Sequence, residues 1–282
     1  MSRLAVWRRF ARHRLAVAGA ALLILITLLV IAAPWIAPYD PAAQDWSQRL
    51  RPPSRAHPFG TDQFGRDVLS RVLYGGRISL LSGLLPVLIG GVAGTVLGLV
   101  AGFAGRWVDG FIMRVMDVLL ALPSLFLALA VVGTLGPGWF NAVIAVSAVA
   151  VPAYARIVRS RVLALREEDF VEAARAMGAG PLRIMFRHVL PNALSPVLVQ
   201  STLSFGFSIL SMAGLSFLGL GIQPPQTDWG DMLALSRQFL PGAYWLGLFP
   251  GLFIMLVVLA VNLMGDGLRD ALDPRLQGRR QS

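Results

Sequence analysis

Few side chains in this sequence are equipped for covalent or metal chemistry. There is no cysteine, and all 25 side chains of the Lys/Arg class are arginine. Without cysteine there is no thiol nucleophile, disulfide or thiolate zinc site. Without lysine, the phosphate-cradling G-x-x-x-x-G-K-[ST] loop is impossible. The histidines, His13, His57 and His188, lie far apart, and no H-E-x-x-H pair exists to hold a metal. No metal site and no catalytic site are therefore expected. What remains is a polar stretch in a mostly apolar chain, VEAARAMGAGPLRIMFRHVLPN, from Val171 to Asn192.

That stretch reads as two short helices around a Gly-Ala-Gly break. Asp169 and Glu172 have the spacing of a capping box. Glu167, Glu168 and Asp169 also put negative charge where a helix dipole is positive. The helix so started runs over 170–177, two turns or about 12 Å, and Gly178 supplies a left-handed stop. Its apolar face is Phe170, Ala173, Ala174 and Met177, spaced i, i+3, i+4, i+7. Pro181 opens a second helix, expected to end near Leu190 before Pro191. Leu182, Met185, Phe186 and Val189 form its apolar side, which suits a headgroup boundary. The first helix either folds back under its own chain or enters a groove on a partner. Its two alanines make a shallow face that suits a groove better.

The elements that present this stretch are membrane spans. Of 282 residues, 56% are hydrophobic and only 14% charged, against roughly a quarter charged in soluble domains. Crossing about 30 Å of hydrocarbon takes roughly 20 apolar residues. Six candidates follow. They are Leu15–Ala37, Ile78–Gly105, two from Val118–Ala155 parted at Gly133–Gly138, Pro196–Leu218 and Ala243–Met264. The third must start near Ile112, with Arg114 and Asp117 in its opening turns. The first is too long for a cleaved leader and reads as a retained span. With the N-terminus inside, 18 arginines fall on inner segments, 6 in the 37–77 loop and one in the 219–242 loop. This bias orients the chain N-in and C-in in a cytoplasmic membrane. The net charge of +10 is then mostly a topology signal, and no nucleic acid is expected.

No charged residue falls in the middle of a span, which argues against a self-powered carrier. It also leaves no catalytic pair at depth for an intramembrane enzyme. Any uphill transport draws its energy from another subunit. Gly90, Gly94, Gly98 and Gly102 recur every four residues, the pattern of close helix packing. Ser201, Ser204, Ser208 and Ser211 fall within about 80° of one helix face; they either line a wet pathway or pack against a neighbour.

The sequence EAARAMG…HVLP resembles the cytoplasmic EAA loop of inner-membrane permeases of ABC importers. Glu172, Ala173, Ala174, Gly178, Leu190 and Pro191 match, and His188 departs from the usual Ile. His57–Leu80, Gly214–Leu233 and Asn262–Arg275 resemble the C-type permease of the dipeptide/oligopeptide/nickel group. The resemblance covers nearly the whole chain. It implies an all-α membrane protein of the type I importer class, with a five-helix core at 75–266. Residues 1–74 precede that core with an extra span and an outer loop, and 267–282 form a cytoplasmic tail. It also implies a coupling loop at about 156–192, seated in an ATPase subunit through Phe170, Glu172, Ala173, Ala174, Met177 and Gly178. The implied partners are a B-type permease, two ABC ATPases that carry ATP and Mg, an extracytoplasmic solute-binding protein and the lipid bilayer. The chain itself holds no cofactor. Short peptides are the first expected substrate, ahead of nickel chelates, glutathione-like peptides and oligosaccharides. A structural subunit or an ATP-independent carrier is the competing class.

In the outer loops, Asp67 is placed to cap an interfacial helix bearing Val68, Leu69, Val72 and Leu73, with Asp62 and Arg66 fixing the turn before it. Asp228, Trp229 and Asp231 are candidates for the same surface. Direct docking and scaffolding are equally open for these residues.

Overall fold

A computed structural model describes residues 10–272. Regular structure among them is helical, apart from a single bridge between Thr61 and Asp67. Nine helices organise the described residues. They are α1 (Arg14–Ile31), α2 (Val68–Ala104), α3 (Arg106–Ala121), α4 (Ser124–Leu135), α5 (Trp139–Arg166), α6 (Asp169–Ala176), α7 (Pro181–Phe217), α8 (Trp229–Ser236) and α9 (Trp245–Leu272). One further turn, Ala33–Ile36, extends α1. Five of these helices, α1, α2, α5, α7 and α9, are long and apolar enough to cross a membrane, and the bent pair α3–α4 makes a sixth candidate.

The longer elements differ from their expected bounds for local reasons. Asp67 caps α2 by accepting from the Ser70 N–H at 2.8 Å. The expected interfacial helix and second span are therefore one helix of 37 residues, about 55 Å long. The third expected span is not straight, because α3 and α4 meet at 98°. Pro123 forces the break: it offers no N–H to α3, and Leu122 before it is extended at ψ 135. At 12 residues, α4 is too short to cross alone. Asp117 consequently lies near the end of α3, not in an opening turn, where it meets Arg156 of α5 at 2.5 Å.

The two-helix reading of 181–218 is also corrected, because Pro191 does not end the helix. The segment Ile184–Val189 is wound as a π-helix immediately before it. That wider turn relieves the clash a proline makes with the carbonyl four residues back. Asn192 Nδ2 donates to His188 O at 2.7 Å, satisfying one of the carbonyls that the altered register frees.

The glycine face of α2 packs on α5 as its spacing suggested. A Cβ on Gly94 would lie 2.5 Å from Tyr154 Cβ, and one on Gly98 would lie 2.4 Å from Ala155 O. Elsewhere in the bundle α1 lies on α9, where Gly19 meets Ala260 O and Gly267 meets the Ala16 side chain. Small residues here let backbones approach and gain dispersion contacts, the main attraction between helices that lipid already surrounds.

Candidate coupling and docking sites

The coupling candidate is built on α6. The capping box does not form. Asp169 is inside the first turn, Glu168 occupies the cap position, and neither makes a side-chain cap bond. Asp169 and Glu172 still lie in the first turn, where their charge favours the helix dipole. The stop is as expected. Gly178 has φ +81, its N–H donates to Arg175 O at 2.9 Å, and the Ala179 N–H donates to Ala174 O at 3.0 Å. These are the two bonds of a Schellman motif.

The buried face of α6 differs from the expected one. Val171 and Ala174 are buried and pack with Leu165 of α5 and with Ile184, Met185 and Val189 of α7. Ala174 therefore faces its own chain, while Phe170, Ala173 and Met177 face outward. Met177 is 81% exposed. The helix is clamped on one side and offers an apolar stripe of three residues on the other. The signal for Val171 was the buried row Val158, Val162 and Leu165 that precedes it, which it continues across the turn. On α7, Ile184 replaces Leu182 and Phe186 on the buried side, and the latter two are exposed. The π-turn rotates that face.

Two ion pairs tie α3 to α5 nearby, Arg156 with Asp117 and Arg159 with Asp109. Arg166 donates to Gly102 O at 2.8 Å, setting a cation at the C-terminal end of α2. The end of the bundle that carries α6 is thus cross-braced by arginines from a single helix.

The serine face of α7 is not an open channel wall in this chain. Ser204 and Ser208 are buried, while Ser201 and Ser211 are half-buried. Ser201 donates to Val197 O and accepts from the Tyr154 hydroxyl, and Gln200 donates to Ser204 Oγ. Ser208 Oγ is buried with no partner. Ser211 borders a cavity of about 250 Å³ shared with Ser124 at the start of α4.

At the opposite end, the loop residues form a frame and not an exposed surface. Asp62 is 5% exposed and Asp67 and Asp228 are 2% exposed. Asp62 accepts from the Phe64 and Arg66 N–H groups and from Arg66 Nε at 2.6 Å. Arg66 itself is half-buried. Trp229 is fully buried, and its indole N–H donates to Val72 O at 2.9 Å. Direct docking through Asp62, Asp67, Asp228 or Trp229 is therefore set aside, because their polar atoms are already used inside the chain.

Sequence reasoning missed Arg71, which is buried, lies 3.6 Å from Asp62 and donates to Thr227 Oγ1 at 3.0 Å. Its signal was a lone arginine in the apolar run after Asp67. Arg71 joins the two outer loops, sharing Asp62 with Arg66 and reaching Thr227. Burial pushes the Asp228 carboxyl up to about 6, against the bonds from the Asp231 N–H and Ser216 hydroxyl that pull it down. Burial also raises the Asp231 carboxyl.

Residues 94–278 match the family of binding-protein-dependent transport system inner membrane components. Residues 3–53 match the N-terminal transmembrane domain of oligopeptide transport permease C. The chain is 50% identical over 277 residues to the di/tripeptide transport system permease protein DppC of Pseudomonas aeruginosa, covering 96% of this chain and 91% of that one. It is 49% identical over 271 residues to the dipeptide transport system permease protein DppC of Alkalihalophilus pseudofirmus, with coverage of 96% and 89%. It is 49% identical over 273 residues to the glutathione transport system permease protein GsiD of Escherichia coli, with coverage of 96% and 90%. Its fold is similar to a chain of the inward-facing MetNI methionine ABC transporter, with a TM-score of 0.58 at 19% identity over 72% of this chain and 96% of that one.

Proposed function

The chain belongs to the family of inner membrane components of binding-protein-dependent transport systems, and from that premise we propose that it moves short peptides inward by alternating access. As a member it is a multi-pass, non-catalytic permease of an ABC transporter, and ATP is bound by the ATPase subunits of that complex. Its proposed companions are a B-type permease, two ATPases and an extracytoplasmic solute-binding protein. The proposed orientation is N-in and C-in, which the arginine distribution supports.

The single observation that carries the mechanism is the two-sided build of α6. Val171 and Ala174 anchor it to α5 and α7, while Phe170, Ala173 and Met177 stand free on the other face. A rigid element held on one side and apolar on the other transmits a push. ATP-driven closure of the ATPase pair draws α6 inward, and α5 and α7 follow because packed interfaces switch between arrangements and do not stretch. The spans then open outward, solute enters from its binding protein, and hydrolysis resets the bundle.

Peptides are the favoured cargo because the relatives at about half identity carry names for di/tripeptide, dipeptide and glutathione transport. All three are short peptides with free carboxylates. The test is uptake into proteoliposomes holding the full complex, its binding protein and ATP. Labelled dipeptide or glutathione should accumulate in an ATP-dependent way. Uptake of nickel chelates or oligosaccharides with no peptide uptake overturns the substrate reading. Peptide uptake by this chain alone without ATPases overturns the mechanism.

A further inference from the structure

We propose that a cavity between α4, α5 and α7 receives an uncharged, apolar side chain of the peptide in transit, so that this chain contributes to cargo selectivity. This rests on the peptide reading and the orientation proposed above, and it adds the place and the chemistry of the contact. The cavity measures about 250 Å³ and is bordered by Ser124 and Ala128 of α4, Val146 and Val149 of α5, and Phe207 and Ser211 of α7, among others. An apolar cavity of roughly 150 Å³ takes up benzene, while a whole drug-sized ligand fills about 300–1,000 Å³. The space here suits one side chain of a short peptide and not the entire solute.

Three helices fix its depth independently. At about 1.5 Å per residue, Ser211 stands about 9 Å from the end of α7 at Phe217, and Val146 about 10 Å from the start of α5 at Trp139. Ser124 stands about 16 Å from the end of α4 at Leu135. All three ends face outward in the proposed orientation. The cavity therefore lies a third to a half of the way through about 30 Å of hydrocarbon, where a crossing cargo has left bulk water. Both α4 and α7 pack on α5, and the cavity is the gap between them. The 98° break before α4 sets Ser124 at this level.

The walls are apolar apart from two hydroxyls, and no charged residue borders them. The hydroxyls of Ser147, Ser201 and Thr202 donate to carbonyls of their own helices, as helical hydroxyls commonly do. Those of Ser124 and Ser211 have no partner among the described residues. A wall that meets only lipid gains nothing from two open hydroxyls, because an unsatisfied polar group in hydrocarbon is costly. A peptide uses them, since its N–H and C=O groups shed water on entry and serine both donates and accepts. Phe207, exposed on this wall, adds aromatic surface for a bulky side chain. With no ion in the lining, a charged side chain would lose its hydration here without compensation.

The experiment reconstitutes the full complex in proteoliposomes and presents Ala-Phe, Ala-Ala or Ala-Glu on saturating binding protein, so that capture from solution is not limiting. Ser211→Leu fills the cavity and should slow initial uptake of Ala-Phe relative to Ala-Ala by about tenfold, the low end of what a pocket gains or loses per methylene group. The ratio of Ala-Glu to Ala-Ala should stay at its wild-type value. Val149→Ala removes atoms from another wall and should move the Ala-Phe ratio the opposite way; it serves if the Leu variant does not assemble. An unmoved Ala-Phe ratio in either assembled variant overturns the proposal, since a cavity filled by lipid or by a neighbouring subunit affects all peptides alike. So does an equal shift for Ala-Glu, because the space is then not selective for apolar groups. A wild-type complex that imports none of the three peptides overturns the parent peptide reading, and this inference with it.

Discussion

Substituting Gly178 by valine attacks the proposed coupling helix without touching its packing. Gly178 sits at φ +81 with open space around the position a Cβ would take. The penalty is therefore conformational and not steric. A left-handed backbone costs an ordinary residue roughly 1–2 kcal/mol, and a β-branched one sits at or above the top of that range. Straightening the turn instead gives up the bonds from Gly178 N–H to Arg175 O and Ala179 N–H to Ala174 O, each worth about 1 kcal/mol net. Either route disfavours the stopped helix by about 2 kcal/mol, a shift of roughly thirty-fold toward a frayed α6. Because Ala174 accepts one of those bonds, fraying loosens the clamp and the exposed stripe together. The assay is the ratio of peptide taken up to ATP hydrolysed in proteoliposomes, with ATPase stoichiometry in the purified complex. The Val variant should insert normally, retain less ATPase and show a lower ratio. Gly178→Asn should recover most of the loss, since asparagine tolerates this backbone region. Wild-type coupling in the Val variant, or equal damage from Asn, refutes the account of α6 as a rigid joint.

Three other outcomes test the frame. Gly98→Val should destabilise the bundle by about 1–3 kcal/mol, because its Cβ would lie 2.4 Å from Ala155 O; the readout is the thermal unfolding midpoint in detergent. Asp228 has a folded-state pKa of about 6 against an ordinary 3.8. Its contribution is present in full below about pH 3.8 and lost as pH rises through 6, so the protein should gain about 1.4 kcal/mol of stability between pH 7.5 and 5, roughly half of the full effect. Asp228→Asn should remove most of that slope and leave the smaller part due to Asp231, whose carboxyl is also raised; an unchanged slope contradicts the burial argument. Ser208→Ala should leave stability equal or higher, since an unpartnered buried hydroxyl costs about 1–3 kcal/mol. A clear loss of stability would show that Ser208 Oγ has a bonded water in the folded protein.

What could be read from residue order was whatever depends on neighbours along the chain. The length of apolar runs marked the spans, the four-residue glycine period marked the α2 face, and a glycine after two helical turns marked the stop at 178. Asp67 as a cap was legible for the same reason, because its acceptor serves an N–H three residues away. Local sequence also held the break at Pro123, although the long apolar run around it drew attention to the wrong residues.

Tertiary structure alone decided which side of each element was used. In α6 the helical pattern nominates Phe170, Ala173, Ala174 and Met177, but α5 and α7 select Val171 and Ala174, leaving the other three outside. Carboxylates that read as surface groups, Asp62 and Asp228, are interior ones because Arg71 and Ser216 fold back onto them and the bond from Arg71 to Thr227 draws the two loops together across 156 residues. Pro191 fails to end a helix because a π-turn precedes it. Backbone dihedrals answer to near neighbours in sequence, so they can be inferred from it. Burial and charge pairing answer to neighbours in space, and only the packed bundle supplies those.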